Sequence, residues 1–152
     1  MTEVEFSRAL SELSATAKVL NEKSASINDL IARFEATLRD INVGLEVWLE
    51  HDPVLSVVGE SDAHGKVSEN TEIGFAKIKQ EWCLAGRFVT YGNDDDGEWG
   101  IVVTQTEPQP LRSFGRTARI AALPLFPALV DRLKAVADAA VKAIGDAQRF
   151  VK

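Results

Sequence analysis

The sequence predicts an α+β domain in which a three- to four-stranded antiparallel meander packs with a long N-terminal helix, a short helix and a long C-terminal helix. Three observations carry this prediction: an apolar heptad pattern over residues 1–41, strand-type alternation over 43–105, and a second heptad pattern within 113–151. The chain has 152 residues, which is enough for one domain with a hydrophobic core. We therefore expect residues 1–152 to form a single domain.

The first segment predicts one long helix over residues 3–40. Apolar side chains alternate spacings of four and three, and Ser24 is the only exception in the series. The series is Phe6, Leu10, Leu13, Ala17, Leu20, Ser24, Ile27, Ile31, Phe34, Leu38 and Ile41. Residues 21–26 contain poor helix formers, so a break into two helices is the alternative, but the unbroken heptad phase favours one helix.

The flanks of this heptad differ from those of a free coiled coil. With Leu10 at position a, the e and g positions are mostly small or neutral, where a two-stranded coiled coil usually carries charges. The e positions are Ser14, Asn21, Asn28 and Glu35. Such flanks predict a helix that packs on more than one neighbour.

Residues 43–105 follow a period of two, which is typical of strands. The predicted strands are residues 43–50, 72–79, 82–91 and 98–105. Residues 54–58 extend the first strand or form a short one of their own, and the glycine- and hydroxyl-rich residues 59–71 predict a mobile loop. A tight turn near Gln80–Glu81 and a hairpin turn at 93–97 connect the later strands.

Two helices are predicted after residues 105–110. Ser113 is expected to cap a short helix ending near Leu123, and Pro124 and Pro127 stand where the start of a second helix tolerates proline. This second helix should run to about Val151, with a wide apolar face that indicates contacts with both a helix and the sheet. The complete chain is expected to be more than half helical.

The first helix has a longer apolar seam than the last one. If the two pack antiparallel, part of the N-terminal seam is left without a partner in the same chain, and a second copy is the simplest cover. We therefore expect a homo-oligomer, most simply a dimer, with a coiled-coil-like interface. Its candidate residues are Leu10, Leu13, Ala17, Leu20, Ile27 and Ile31.

The net charge of −6 is unevenly distributed. Residues 41–110 carry thirteen acids and four bases, whereas residues 111–152 carry three acids and eight bases. The acidic region predicts a surface for a basic protein partner, with Glu46, Trp48, Glu50, Asp94, Asp95 and Asp96 as candidate residues. The basic residues Arg112, Arg116 and Arg119 either pair with this acidic region or bind an anionic partner. A pI near 5.0 and the lack of a recognition motif argue against direct nucleic-acid binding.

No catalytic or cofactor signature is present in the sequence. A nucleophile elbow, a glycine-rich phosphate loop and a paired-carboxylate motif are all missing. His51 and His64 lack the spacing of a zinc motif, residues 94–98 fit a hairpin turn better than a calcium loop, and Cys83 fits a buried core position. We therefore assign no catalytic, cofactor-binding or metal-binding residue.

The leading functional hypothesis is a non-enzymatic interaction or assembly protein. Two alternatives stay open. One is an acidic inhibitor or mimic that occupies a basic nucleic-acid-binding site on a target protein. The other is a domain that binds a small ligand or metal in a sheet cavity near His51 and Cys83. Since no apolar run reaches membrane-spanning length and no signal peptide is recognisable, we expect a cytoplasmic protein without a membrane partner.

Overall fold

A computed structural model describes residues 2–151 and shows a mixed α+β fold, as predicted. The helices are α1 (Glu3–Ile41), α2 (Arg116–Ala122) and α3 (Phe126–Phe150). The strands are β1 (Val47–Trp48), β2 (Leu55–Ser61), β3 (Gly65–Ile78), β4 (Glu81–Asn93), β5 (Trp99–Gln105) and β6 (Gln109–Pro110). The three α-helices contain 39, 7 and 25 residues, and two 3-10 turns at Leu111–Ser113 and Leu123–Leu125 bring the helical share to about half of the chain.

Helix α1 is continuous through the segment where a break was the alternative. The hydroxyl groups of Ser24 and Ser26 donate to the carbonyl oxygens of Leu20 and Glu22, at 2.8 and 3.2 Å, so both serines are accommodated within the helix. A capping box formed by Thr2 and Glu5 fixes the N-terminal end. The single long helix predicted from the heptad phase is therefore confirmed.

The sheet is built around the β3–β4 hairpin, and all its pairings are antiparallel. The strand order is β1-β3-β4-β5, with β2 also alongside β3 and β6 also alongside β4. Lys79 and Gln80 form the tight turn of the central hairpin with φ values of 49° and 70°. This turn lies one residue earlier than the sequence predicted.

Residues 59–71 are not a loop. They complete β2 and begin β3, and Gly59 pairs with Val67 while Ser61 pairs with Gly65. Most of this hairpin is exposed on both faces. Its sequence therefore lacks the apolar–polar alternation by which a half-buried strand is predicted.

Two further boundaries differ from the prediction. The strand expected over 43–50 is limited to β1, because Gly44 takes a left-handed φ of 65° shortly before it. Ser113 does not cap α2. Its hydroxyl donates to the carbonyl of Pro110 within a 3-10 turn, and Gly115 occupies the N-cap position.

One face of the sheet and the helices enclose the hydrophobic core. Its fully buried members include Ile31, Val47, Ile73, Phe75, Leu84, Leu111, Leu129 and Leu133. The two long helices meet where the rings of Phe34 and Phe126 stack, with centroids 4.5 Å apart. Contact between α1 and α3 was predicted and is present at this end of the core.

In the N-terminal half of α1 and the C-terminal half of α3, the apolar stripes lie mostly in solvent. On α1, Phe6, Leu10, Leu13 and Leu20 are 55%, 50%, 63% and 41% exposed. On α3, Val141 and Ile144 are equally uncovered. α3 packs on β1 as well as on α1, so a long seam between the two helices does not cover these stripes. Within residues 2–151, no helix has both the length and the hydropathy needed to cross a bilayer.

Candidate functional site

The face of the sheet opposite the core carries a buried polar cluster. Glu72 on β3 pairs in register with Arg87 on β4, and side chains two residues apart on a strand share a face. Asn70, Glu72, Arg87 and Tyr91 therefore lie on one face. The same alternation in β1 places Val47 in the core and Trp48 on the polar face, as the sequence predicted.

Glu72 is the centre of this cluster and is fully buried. The Nε and Nη2 atoms of Arg87 lie 3.0 and 2.9 Å from its Oε1 atom, and the Tyr91 hydroxyl donates to its Oε2 atom at 2.5 Å. Burial and this hydrogen bond raise the pKa of Tyr91, so the phenol remains a neutral donor. Both carboxylate oxygens of Glu72 are thus satisfied within the protein.

Trp48 covers the guanidinium group of Arg87. The Arg87 Cζ atom lies 4.1 Å from the centre of the indole ring, in cation–π geometry. The indole Nε1 atom donates to Glu46 Oε1 at 3.0 Å, which orients the ring. Arg87 is therefore held between a carboxylate and an aromatic ring, and its remaining N–H groups have a fixed direction.

A cavity of about 560 Å³ opens beside this cluster. It is lined by Glu50, His51, Pro53, Asn70, Arg87, Tyr91, Trp99, Gly100, Val102 and Gln105. Trp99 is 58% exposed at the rim, whereas Arg87 belongs to the buried floor. The cavity thus combines a fixed cationic floor with partly apolar walls.

The six predicted partner-binding residues do not form one cluster. Trp48 is level with Gly74 on β3, whereas Tyr91, shortly before the acidic turn, is level with Ser68. Six residues of an extended strand span about 20 Å, so Glu46 and Trp48 lie well away from Asp94–Asp96, whereas Glu50 lines the same cavity as Tyr91 and Trp99.

Asp94 serves its own hairpin turn. Its Oδ1 atom accepts hydrogen bonds from the backbone N–H groups of Asp96 and Glu98, at 3.0 and 2.8 Å. This confirms the interpretation of residues 93–97 as a hairpin turn between strands.

The basic cluster does not pair with the acidic middle of the chain. Arg116 Nη2 donates to Asn21 Oδ1 at 3.2 Å, and Arg119 Nη1 donates to Asn28 Oδ1. The third arginine, Arg112, lies 4.0 Å from Glu35. The three arginines therefore face consecutive e positions of α1, which corrects the predicted acidic partner. The e positions of α1 are mostly neutral, and α2 and the 3-10 turn at Leu111–Ser113 pack over them.

Glu35 has a structural role that the sequence did not reveal, since the heptad pattern identified it only as an e position. It is 2% exposed, its Oε2 accepts the backbone N–H of Leu84 at 3.0 Å, and its Oε1 lies 3.2 Å from Arg39 Nη2. This carboxylate fixes α1 to β4. An acid isolated among neutral e positions was the signal that could have identified it.

Cys83 and the histidines have separate surroundings. His51 lines the cavity, but Cys83 does not, which corrects the predicted cavity between the two. Cys83 is buried as predicted, and burial together with the nearby charge of Glu35 raises the pKa of its thiol. His64 Nδ1 lies 3.2 Å from the Asn93 carbonyl oxygen. In the described part of the chain, no three His, Cys, Asp or Glu side chains are grouped in a way that suits a metal ion.

The geometry of this face is the main guide to its chemistry, because relatives supply none. Comparison with protein-family models, with curated proteins and with solved structures finds no significant match to this chain.

Proposed function

We propose that this chain is a non-enzymatic assembly protein that forms a homodimer through the N-terminal half of α1. The observation that carries the proposal is the exposure of a continuous apolar stripe on a long, well-capped helix. We define the α1 stripe by Phe6, Leu10, Leu13 and Leu20. These side chains continue the same heptad positions that are buried further along the helix.

Burial of the α1 stripe against a partner would release a large apolar area from water. Each large apolar side chain contributes about 1.5–3 kcal/mol when it is fully buried. Four such side chains on one face form an apolar patch of the kind that often marks an interaction site on a soluble protein. The exposed stripe is thus better explained as an interface than as an ordinary solvent-facing surface.

The residues that border the α1 stripe favour a second copy of the chain as its binding partner. Ala9, Ser14 and Thr16 border the α1 stripe, so two copies of α1 can approach closely without like charges facing each other. A two-fold axis brings the same patch together from both copies, which is the commonest form of closed assembly. Val141 and Ile144 on α3 offer further apolar surface to the same assembly.

We expect the variant Leu13→Glu/Leu20→Glu to be a folded monomer where the wild-type chain is a dimer. Two charges at the centre of the interface would have to be buried without partners, which costs several kcal/mol. Light scattering coupled to size-exclusion chromatography at tens of micromolar measures the mass. Circular dichroism checks the fold.

The matched control is Ser11→Glu/Ala15→Glu, which adds the same charge to the opposite, solvent-facing side of α1. It should remain dimeric. A wild-type chain that is monomeric at tens of micromolar, or a dimer that survives the Leu13/Leu20 change, contradicts the proposal.

The basic protein partner of the acidic region stays a separate prediction with weaker support. Two of its candidate carboxylates already serve the protein, since Glu46 accepts the Trp48 indole N–H and Asp94 stabilises its own turn. The carboxylates of Glu50, Asp95 and Asp96 are exposed and accept no hydrogen bond among those of the described residues.

A further inference from the structure

We propose that the cavity on the polar face binds a small aromatic carboxylate, independently of the assembly proposed above. The Arg87 guanidinium and the Asn70 amide would take the ligand carboxylate. Trp99, Tyr91 and Val102 would contact its ring. Three properties of the cavity support this: unused donors at its floor, a weakly held carboxylate at its rim, and apolar walls.

The floor presents hydrogen-bond donors that lack acceptors within the protein. A guanidinium group has five N–H donors, and Glu72 takes only those on one side of Arg87. Asn70 Oδ1 accepts from the hydroxyls of Ser56 and Ser68, at 2.8 and 2.7 Å, which leaves the amide N–H groups of Asn70 to donate elsewhere. These donors are open to the cavity rather than enclosed without a partner, so they are available to a ligand that carries hydrogen-bond acceptors.

Glu50 marks the place where a ligand carboxylate would lie. Its Oε1 atom is 3.7 Å from Arg87 Nη2, too far for a hydrogen bond, and its side chain is 59% exposed. An exposed ion pair of this length contributes little. A ligand that approaches Arg87 more closely can therefore displace Glu50 into solvent at small cost.

The walls and the size of the cavity suit an aromatic molecule. Pro53, Val102 and the rings of Tyr91 and Trp99 surround the polar floor. A volume near 560 Å³ lies within the usual range for small-ligand sites. The exposed Trp99 indole is free to stack on a ligand ring, an interaction of the kind that aromatic pairs form.

A cationic ligand fits the same cavity less well. Such a ligand would enter next to the positive charge of Arg87 and would find only Glu50 as a charged acceptor among the lining residues. The two ligand classes make opposite predictions for the removal of the Glu50 charge. This difference makes Glu50→Gln the decisive variant, and its exposure means that the fold should tolerate the change.

The test uses indole-3-acetate as the probe, with its neutral amide and tryptamine as matched ligands, and isothermal titration calorimetry as the readout. We expect indole-3-acetate to bind about ten-fold more tightly than the amide, since hydrogen bonds between charged groups are roughly twice as strong as neutral ones. Glu50→Gln should tighten the binding of indole-3-acetate several-fold by removing the competing carboxylate. Trp99→Ala should weaken it about three- to ten-fold through lost stacking.

Arg87→Lys tests the guanidinium fork itself, because it keeps the charge and loses the planar donor set. Binding should fall at least ten-fold in this variant, with the fold checked by circular dichroism. Val57→Ala, an exposed change on β2 outside the cavity, should leave binding unchanged. Absence of binding at millimolar probe, tighter binding of tryptamine, or weaker binding of indole-3-acetate by Glu50→Gln overturns the proposal.

Discussion

Replacing Glu72 with alanine is expected to lower the free energy of unfolding by about 3–5 kcal/mol. The change leaves the Arg87 guanidinium, whose side chain is 10% exposed, without its close counter-ion. It also removes the acceptor of the Tyr91 hydroxyl. Urea denaturation followed by tryptophan fluorescence measures the loss, since Trp48 lies directly on Arg87.

Two controls separate the charge effect from lost packing. The double variant Glu72→Leu/Arg87→Met removes both charges and should recover most of the stability, because apolar replacement of a buried ion pair is often neutral or better. Tyr91→Phe leaves only one Glu72 oxygen without its donor and should cost about 1–3 kcal/mol. A loss below about 1 kcal/mol for Glu72→Ala would show that water reaches Arg87 freely, contrary to its burial.

Gly74→Ala is expected to be the most damaging single-methyl change in the sheet, with a loss of about 3 kcal/mol or slightly more. The added Cβ atom would lie 2.3 Å from the Val47 carbonyl oxygen and 2.6 Å from the Trp48 ring. A backbone oxygen cannot move aside without breaking the pairing of β1 with β3. Thermal and urea unfolding measure the loss.

The control for Gly74→Ala is Gly59→Ala, at another strand glycine. A Cβ atom there makes only an ordinary contact, 3.6 Å from Val67 Cγ2. We expect this variant to be neutral or slightly more stable, since alanine restricts the unfolded chain. Equal losses at the two positions would mean that backbone freedom, rather than the close approach of Trp48, determines the role of Gly74.

Periodicity made much of the fold predictable. The heptad phase predicted that α1 continues through Ser24, because the apolar residues on both sides of Ser24 keep the same spacing. Those after it pack in the core, and those before it form the α1 stripe. The alternation in β1 predicted that Trp48 lies on the face opposite Val47, because successive side chains of a strand point to opposite faces. Turn chemistry located the hairpin at 93–97, where Asp94 satisfies its own backbone neighbours.

The polar contacts of the sheet could not be predicted without the register of its strands. Residues 59–71 of the β2–β3 hairpin are mostly exposed, so they carry no apolar alternation from which to predict strands. Glu72 and Arg87 are fifteen residues apart, and only the β3–β4 pairing brings them together. The partners of the arginine cluster were equally hidden, because Arg116 and Asn21 are separated by ninety-five residues.

The long separation between α1 and its arginine partners has a consequence for synthesis. α1 leaves the ribosome well before Arg112–Arg119, which cover its flank, and Phe126, which stacks on Phe34. At about 5–20 residues per second, the intervening chain takes roughly 5–20 s to appear. Throughout this interval, the successive hairpins from β2 to β5 have partners within reach, and β4 is available to Glu35, but the e positions of α1 at Asn21 and Asn28 have none. The nascent chain therefore presents an open amphipathic helix that chaperones, or a neighbouring nascent copy, can bind before the domain closes.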